Sequence, residues 1–267
     1  MKTSIAPLAK GDLIQILAPA KAIEAEHVAF AKATLERKGF KVEISKHCLG
    51  RYNYFSGTIE QRILDFQSAI DNPDIKAILC ARGGYGCVQI VDALNWEPLN
   101  HHPKWIIGFS DVTVFHQRMS RLGMQSIHAT MPLNFSSNSK ASIDTLIESM
   151  KGNHSTIAVK SSPFNKTGQA KGELIGGNLS ILYSLLGTND HADFEGCILF
   201  IEDLAEHIYA IDRMFHALKK ASVLKQIVGL VVGGMTNLKD TDIPFGKNYQ
   251  ELILSHFENR EIPICFD

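Results

Sequence analysis

The strongest constraint on the fold is a regular alternation of short apolar segments and helical patterns over the first half of the chain. Near-continuous apolar strands that alternate with helices are typical of a parallel sheet covered on both faces. Right-handed crossovers then give a doubly wound, flavodoxin-like or Rossmann-like layer, so we predict an α/β fold. The predicted strands are Leu13–Ala18, Val42–Ser45, Ile75–Cys80, Trp105–Phe109 and Ser126–His128. The predicted helices are His27–Lys38, one that begins at Thr58, Gly86–Leu94 and Asp111–Leu122. At the start of the second of these, Thr58 and Gln61 predict a capping box.

The alternation breaks around Ser155–Gly168, where the polar stretch SSPFNKTGQAKG with its Pro and Gly predicts a linker. We therefore predict an N-terminal domain over residues 1–160 and a smaller C-terminal domain over residues 168–267. In the second domain the predicted strands are Glu173–Ile175, Cys197–Ile201, Ile227–Val232 and one in IPICFD, and the predicted helices are Leu179–Leu186, Ala210–Lys220 and Tyr249–Glu258.

Composition excludes several classes of function. The 267 residues carry a formal net charge of −1, which gives no reason to expect a nucleic acid or an anionic membrane as partner. No apolar run approaches the roughly 18–20 residues needed to span a bilayer, and charged residues and a glycine interrupt the N-terminus, which is unlike a signal peptide. We therefore predict a cytoplasmic protein. The five cysteines are scattered without a CxxC pair or a histidine at ligand spacing, so we predict reduced thiols and no metal site.

Ser110 lies at the corner between a predicted strand and a predicted helix. One interpretation is a helix N-cap, since serine is favoured there and Asp111 suits the helix dipole. The other is a nucleophile, because a serine on a sharp strand-to-helix turn stands clear of the sheet and the next backbone amide can hold an oxyanion. The run from Gly108 to Val112 lacks the last glycine of the G-x-S-x-G elbow, so the general motif is only half met.

A second candidate is the glycine-rich loop ARGGYG, which follows the strand that ends at Cys80. In such sheets ligands bind at the carboxyl ends of the strands, and the backbone amides of a glycine-rich loop can bind an anion. The alternative is a tight turn that requires a positive φ at Gly83 or Gly84. Arg82 offers a fork suited to a carboxylate.

The acid and the base are less clear. Glu202 follows an apolar strand and is either a solvated strand end or the acid that orients a catalytic histidine, and Asp203 competes with it on sequence grounds. No histidine is a clear base. The candidates considered are His101 and His102 in a polar loop, His116 within a helix, His128 at the end of a strand, and His207 shortly after Glu202.

Taken together and in order, ARGGYG, GFSDVT, IHATMP, IGGNLSIL and LFIEDLAEHIYAIDRM resemble the LD-carboxypeptidases (muramoyltetrapeptide carboxypeptidases), a family that includes the microcin C self-immunity peptidases. The resemblance runs from Gly11 to the last residue. It implies a serine peptidase with a Ser-Glu-His triad, and a flavodoxin-like domain followed by a smaller, swivelling β/α domain. It also implies no cofactor, a murein peptide substrate, and a homodimer as a plausible assembly.

The resemblance implies roles for individual residues. Ser110 in GFSDVT becomes the nucleophile and Glu202 in LFIEDL becomes the triad acid. The oxyanion hole uses the amide of Asp111 and a loop amide, which we assign to Gly84. These residues fall in different domains, which predicts a cleft at the domain interface. We assign substrate binding to Arg82, Gly83, Tyr85 and Asn178.

One departure concerns the triad histidine, which in the family lies in a Gly-His motif just after the strand that here reads IPICFD. No histidine of this sequence matches it, so we expect the sequence to be truncated, and expect little or no peptidase activity if these residues are the whole molecule. Two alternatives stay open: an immunity-type peptidase that cleaves aminoacyl or peptidyl nucleotide conjugates, and a non-catalytic binder of peptidoglycan fragments.

Overall fold

The computed structural model describes residues 4–153 and 156–266. The chain divides into two compact units, Met1–Thr156 and Ile157–Asp267. Within the described ranges, every helix is too short or too polar to cross a lipid bilayer.

The first unit contains a five-stranded parallel sheet in the order β2-β1-β3-β4-β5. This is the flavodoxin-like doubly wound order, in which the direction of winding reverses between β1 and β3. The apolar side chains of β3 and β4 are buried because they lie in the interior of the sheet. The strands are β1 (Leu13–Leu17), β2 (Lys41–Ile44), β3 (Ile75–Cys80), β4 (Trp105–Gly108) and β5 (Ile127–His128).

The helices of this unit follow from local signals in the sequence. The predicted capping box at the start of the second helix is present, with the Thr58 side chain accepting from the backbone N–H of Gln61 and the Gln61 side chain accepting from that of Thr58. The fourth helix, which we did not predict, has a buried apolar stripe and a serine N-cap. The helices are α1 (Ala25–Arg37), α2 (Ile59–Asp71), α3 (Thr113–Arg121) and α4 (Lys140–Met150).

The predicted helix over Gly86–Leu94 is wrong. The segment forms two short 3₁₀ turns, Cys87–Gln89 and Val91–Ala93. The backbone N–H of Cys87 donates to the side chain of Asp111 instead of starting an α-helix, so a contact distant in sequence overrides the local pattern.

The second unit contains a four-stranded parallel sheet in the order β6-β7-β8-β9. Its core joins one face of this sheet to the buried stripes of the helices, with Leu199, Ile201 and Leu230 packed against Ile211 and Phe215. The elements are β6 (Leu174–Asn178), α5 (Leu179–Ser184), β7 (Ile198–Leu204), α6 (Ile208–Lys220), α7 (Val223–Gln226), β8 (Gly229–Thr236), α8 (Tyr249–Ser255) and β9 (Ile264–Phe266).

Strand β7 is longer than predicted. Glu202 and Asp203 lie within it instead of after it. The register against β8 shifts between Ile201 and Asp203, where β8 has one residue more than β7, so Glu202 lies opposite a bulge of the neighbouring strand. Bulges are over-represented next to active sites.

Candidate active site

Ser110 follows the buried strand β4 and adopts a left-handed backbone conformation with φ +62°. A non-glycine residue in this region costs of the order of 1–3 kcal/mol, and such residues cluster at active sites. The N-cap of the 3₁₀ turn Ser110–Val112 is Phe109, and Ser110 is the first residue within the turn. The N-cap interpretation is therefore wrong. The strained strand-to-helix turn instead has the geometry of a nucleophile elbow.

The glycine-rich loop lies against this elbow. A Cβ added at Gly83 would lie 3.1 Å from Ser110 Cβ and 3.3 Å from the amide nitrogen of Asp111. Gly84 has φ +106°, and a Cβ there would lie 2.9 Å from the Tyr54 hydroxyl. The positive φ of Gly84 confirms the turn interpretation at that residue, whereas Gly83 is a position of close approach to the elbow. The structure brings Ser110, Asp111 and Gly83 into one small region.

The loop also sits at the topological switch point of the sheet. It follows β3, and its Gly83 carbonyl accepts a hydrogen bond from the backbone N–H of Lys21, in the segment that follows β1. Strands β1 and β3 are the neighbours between which the winding reverses. Ligands of open α/β sheets bind in the crevice at this point, so the location of the loop favours a binding role.

Two buried charged residues, not assigned this role from the sequence, hold the loop. Arg62 on α2 is 2% exposed and donates to the carbonyls of Pro19 and Gly86, each at 3.0 Å. The Asp111 side chain accepts from the backbone N–H of Cys87 at 2.8 Å. Burial lowers the pKa of Arg62 and raises that of Asp111. A signal for Arg62 was present in the sequence, since it precedes Phe66 by four residues on the buried face of α2.

The other predicted loop residues are partly engaged. Arg82 is half-buried and donates to the Ala22 carbonyl at 3.1 Å. Tyr85 is 48% exposed, with its ring centroid 6.2 Å from that of Phe55. Both side chains belong to the loop beside the elbow, and their roles in substrate binding stay predictions.

The two histidines that follow the elbow in the first unit, His116 and His128, are poor general bases. His116 is buried, and its ring nitrogens lie 2.8 Å from the Gly108 carbonyl and 2.8 Å from the Ser126 hydroxyl. Burial lowers its pKa to about 4. The His128 ring lies 6.1 Å from that of Phe109, and burial lowers its pKa to about 3. A general base works best with a pKa near the operating pH, so neither ring is suited to the task.

In the second unit, Glu202 carries the most perturbed carboxyl group. Its pKa is raised to about 7, mainly by burial and to a smaller extent by the charge of Asp203. A hydrogen bond from Asn178 opposes this rise and lowers the pKa. Its Oε1 atom is buried and has no hydrogen-bond partner among residues 4–153 and 156–266. A buried acceptor without a partner costs about 1–3 kcal/mol. This oxygen can accept a hydrogen bond from an imidazole N–H.

Asp203, the competing acid, is fully engaged. Its Oδ1 accepts from the Asn178 side chain at 2.9 Å and from the backbone N–H of Leu204, and its Oδ2 accepts from the backbone and the hydroxyl of Ser180. Asn178 also caps α5 by accepting from the backbone N–H of Ile181. Both side chains fix the start of α5, which leaves Glu202 as the acid with an unengaged oxygen.

The remaining candidate histidines are His101 and His102 in the first unit and His207 in the second. His101 and His102 are exposed, as expected. His207 stacks on Tyr209 with ring centroids 5.2 Å apart, and its Nδ1 is buried without a partner in the described part of the chain.

Comparison with known proteins agrees with the motifs. Profiles of the LD-carboxypeptidase N-terminal and C-terminal domains match residues 14–129 and 171–267. The probable murein peptide carboxypeptidase of Bacillus subtilis is 33% identical over 239 residues, covering 84% of this chain and 72% of that protein. The murein tetrapeptide carboxypeptidase of Pseudomonas aeruginosa is 32% identical over 237 residues, covering 84% and 76%.

Solved structures give the same assignment. The muramoyltetrapeptide carboxypeptidase of Oxalobacter formigenes superposes with a TM-score of 0.86 at 28% identity, covering 96% of this chain and 87% of that one. The immunity protein MccF in complex with glutamyl sulfamoyl guanosine shares the fold, with a TM-score of 0.84 at 24% identity over 98% and 88% of the two chains. The chain therefore belongs to the LD-carboxypeptidase family of peptidases.

Proposed function

We propose that this protein is a serine LD-carboxypeptidase that releases the terminal D-alanine from murein tetrapeptides in the cytoplasm, during peptidoglycan recycling. The observation that carries the proposal is the strained elbow at Ser110 with a glycine-rich loop packed directly against it. The names of the two murein peptidases among the relatives support the substrate class.

The reaction uses an acyl-enzyme. A histidine removes the Ser110 proton as Oγ attacks the carbonyl carbon of the L-centre in the L-D peptide bond. The amides of Asp111 and Gly84 hold the tetrahedral oxyanion. Collapse of the intermediate breaks the C–N bond, and the histidine returns the proton to the departing D-alanine. Water then hydrolyses the ester and restores the Ser110 hydroxyl.

Glu202 orients and stabilises the histidine. The ring N–H donates to the buried Oε1, which has no hydrogen-bond partner among the described residues. We assign no histidine of this sequence to this role, because none stands in a Gly-His motif.

Arg82 provides a positive charge for a substrate carboxylate. Among the described residues its guanidinium makes one hydrogen bond, to the Ala22 carbonyl, which leaves further N–H groups of the fork for a ligand. Replacing Arg82 with Ala is expected to raise KM more than it lowers kcat, and an unchanged KM contradicts this role.

The test combines D-alanine release from a murein tetrapeptide with labelling by a serine-reactive fluorophosphonate. The protein with the triad histidine in place is expected to do both, Ser110→Ala neither, and Ser68→Ala, which changes an exposed serine on α2, both at the wild-type level. An aminoacyl sulfamoyl nucleotide serves as the competing substrate, and faster turnover of that compound would replace the murein assignment. Failure of the wild-type protein in both assays would instead support a non-catalytic binder.

A further inference from the structure

A cluster of two histidines and one aspartate lies in the second unit, on residues that the proposed reaction does not use. Asp212 and His216 are separated by one turn of α6, so their side chains lie on the same face of the helix. His256 is the C-cap residue of α8. One potential ligand atom from each of the three side chains lies within 4.8 Å of the other two.

The distances within the cluster are those of groups that converge on one point. His256 Nε2 lies 3.0 Å from Asp212 Oδ1, and His216 Nε2 lies 3.7 Å from Asp212 Oδ2. Ligands about 2.0–2.2 Å from a tetrahedral zinc ion are separated from one another by about 3.4 Å. Small rotations of the side chains therefore bring all three atoms to bonding distance of one ion.

The packing around the cluster restricts one ligand and leaves another accessible. The His256 side chain is 5% exposed, and its ring stacks on Phe215 with centroids 5.3 Å apart. The His216 side chain is 58% exposed and packs edge to face against His256. A fixed inner ligand together with an exposed outer one leaves an entry path for an ion from solvent.

We propose that Asp212, His216 and His256 form a binding site for one divalent transition metal ion of the zinc class. Two imidazoles and a carboxylate suit Zn²⁺ and its neighbours in the first transition row, and they are poor ligands for Ca²⁺ or Mg²⁺. Because the ligands come from α6 and α8, the ion joins these helices and stabilises the second unit. This proposal is independent of the peptidase reaction.

The full chain, dialysed against a chelator and then against metal-free buffer, is titrated with ZnCl₂ in a calorimeter. We expect one Zn²⁺ per chain and a rise in the Tm of the second unit. His216→Ala removes an exposed ligand with little risk to folding and is expected to weaken binding at least about tenfold, as is Asp212→Asn. The control His101→Ala removes an exposed histidine of the first unit and is expected to keep the Kd within about twofold.

Co²⁺ supplies an independent readout. Co²⁺ bound by nitrogen and oxygen ligands in tetrahedral or five-coordinate geometry absorbs visible light much more strongly than hexaaquo Co²⁺ does. The wild-type protein is expected to give this band and the two cluster variants to lose it. The proposal is overturned if the wild-type protein shows no saturable Zn²⁺ binding at metal concentrations up to about 100 µM. It is also overturned if either variant retains the wild-type affinity.

Discussion

Replacing Glu202 by Gln tests the electrostatic state of the proposed acid through protein stability. Burial and the charge of Asp203 raise the pKa of Glu202 from 4.5 to about 7. An acid with a raised folded-state pKa binds its proton more tightly in the folded state, so stability is lost as pH rises between about 4.5 and 7. Glutamine keeps the shape and removes the titration.

The size of the effect follows from linkage. A pKa raised from 4.5 to about 7 corresponds to about 3 kcal/mol once both states have ionised. Applied at two pH values, the same relation gives a penalty for the wild-type protein of about 1 kcal/mol at pH 5 and about 3 kcal/mol at pH 8. The stability of Glu202→Gln relative to wild type is therefore expected to increase by about 2 kcal/mol between these pH values.

The assay is urea unfolding of wild type and variant at several pH values from 5 to 8, with attention to the transition of the second unit. For an m value of about 2 kcal/mol/M, the relative midpoint shifts by about 1 M across this range. Glu195→Gln, which removes an exposed carboxylate from the same unit, is the control. A difference between Glu202→Gln and wild type that does not change with pH would refute the reasoning. Loss of peptidase activity in the same variant is expected separately, since the proposed histidine then lacks its carboxylate.

Two further substitutions test how the loop is held. Gly83→Ala places a Cβ 3.1 Å from Ser110 Cβ and is expected to lower kcat/KM about 100-fold in steady-state kinetics. The control Gly234→Ala, whose Cβ has room, is expected to leave kcat/KM unchanged. A Gly83→Ala variant with wild-type kcat/KM would exclude a role for close packing at the elbow. Arg62→Met leaves the carbonyls of Pro19 and Gly86 without their donor. This variant is expected to lower the free energy of unfolding by about 3 kcal/mol and to reduce activity. A loss under about 0.5 kcal/mol in urea unfolding would contradict the expectation.

The sequence predicted those parts of the fold that depend on local pattern. The strands and the Thr58 capping box are examples, because each depends on neighbouring residues alone. Helix α4 carried the same kind of signal in its stripe of Ile143, Leu146, Ile147 and Met150, so it was predictable although we did not assign it. The segment Gly86–Leu94 was not, since contacts from Arg62 and Asp111 determine its turns.

The candidate site shows the same division. The serine, its neighbours in the loop and Glu202 stand in motifs that the sequence displays directly. The choice between Glu202 and Asp203 needed the structure, because only the hydrogen bonds show which carboxylate is already engaged. The metal cluster also needed it, because His256 approaches Asp212 only through the packing of α8 on α6.

The two residues that the motifs assign to chemistry each belong to a small group of residues that cost stability locally. Among the described residues, Ser110 is one of five non-glycine residues with a positive φ, and Glu202 Oε1 is one of seven buried polar side-chain atoms without a hydrogen-bond partner. The adjacent carboxylate, Asp203, shows that this sequence can satisfy a buried acid at the same strand. Local conflicts of this kind are expected at functional sites, where a reacting partner supplies what the folded chain leaves open. The strain and the unpaired oxygen therefore support the assignment of Ser110 and Glu202 on physical grounds that do not depend on the resemblance to a family.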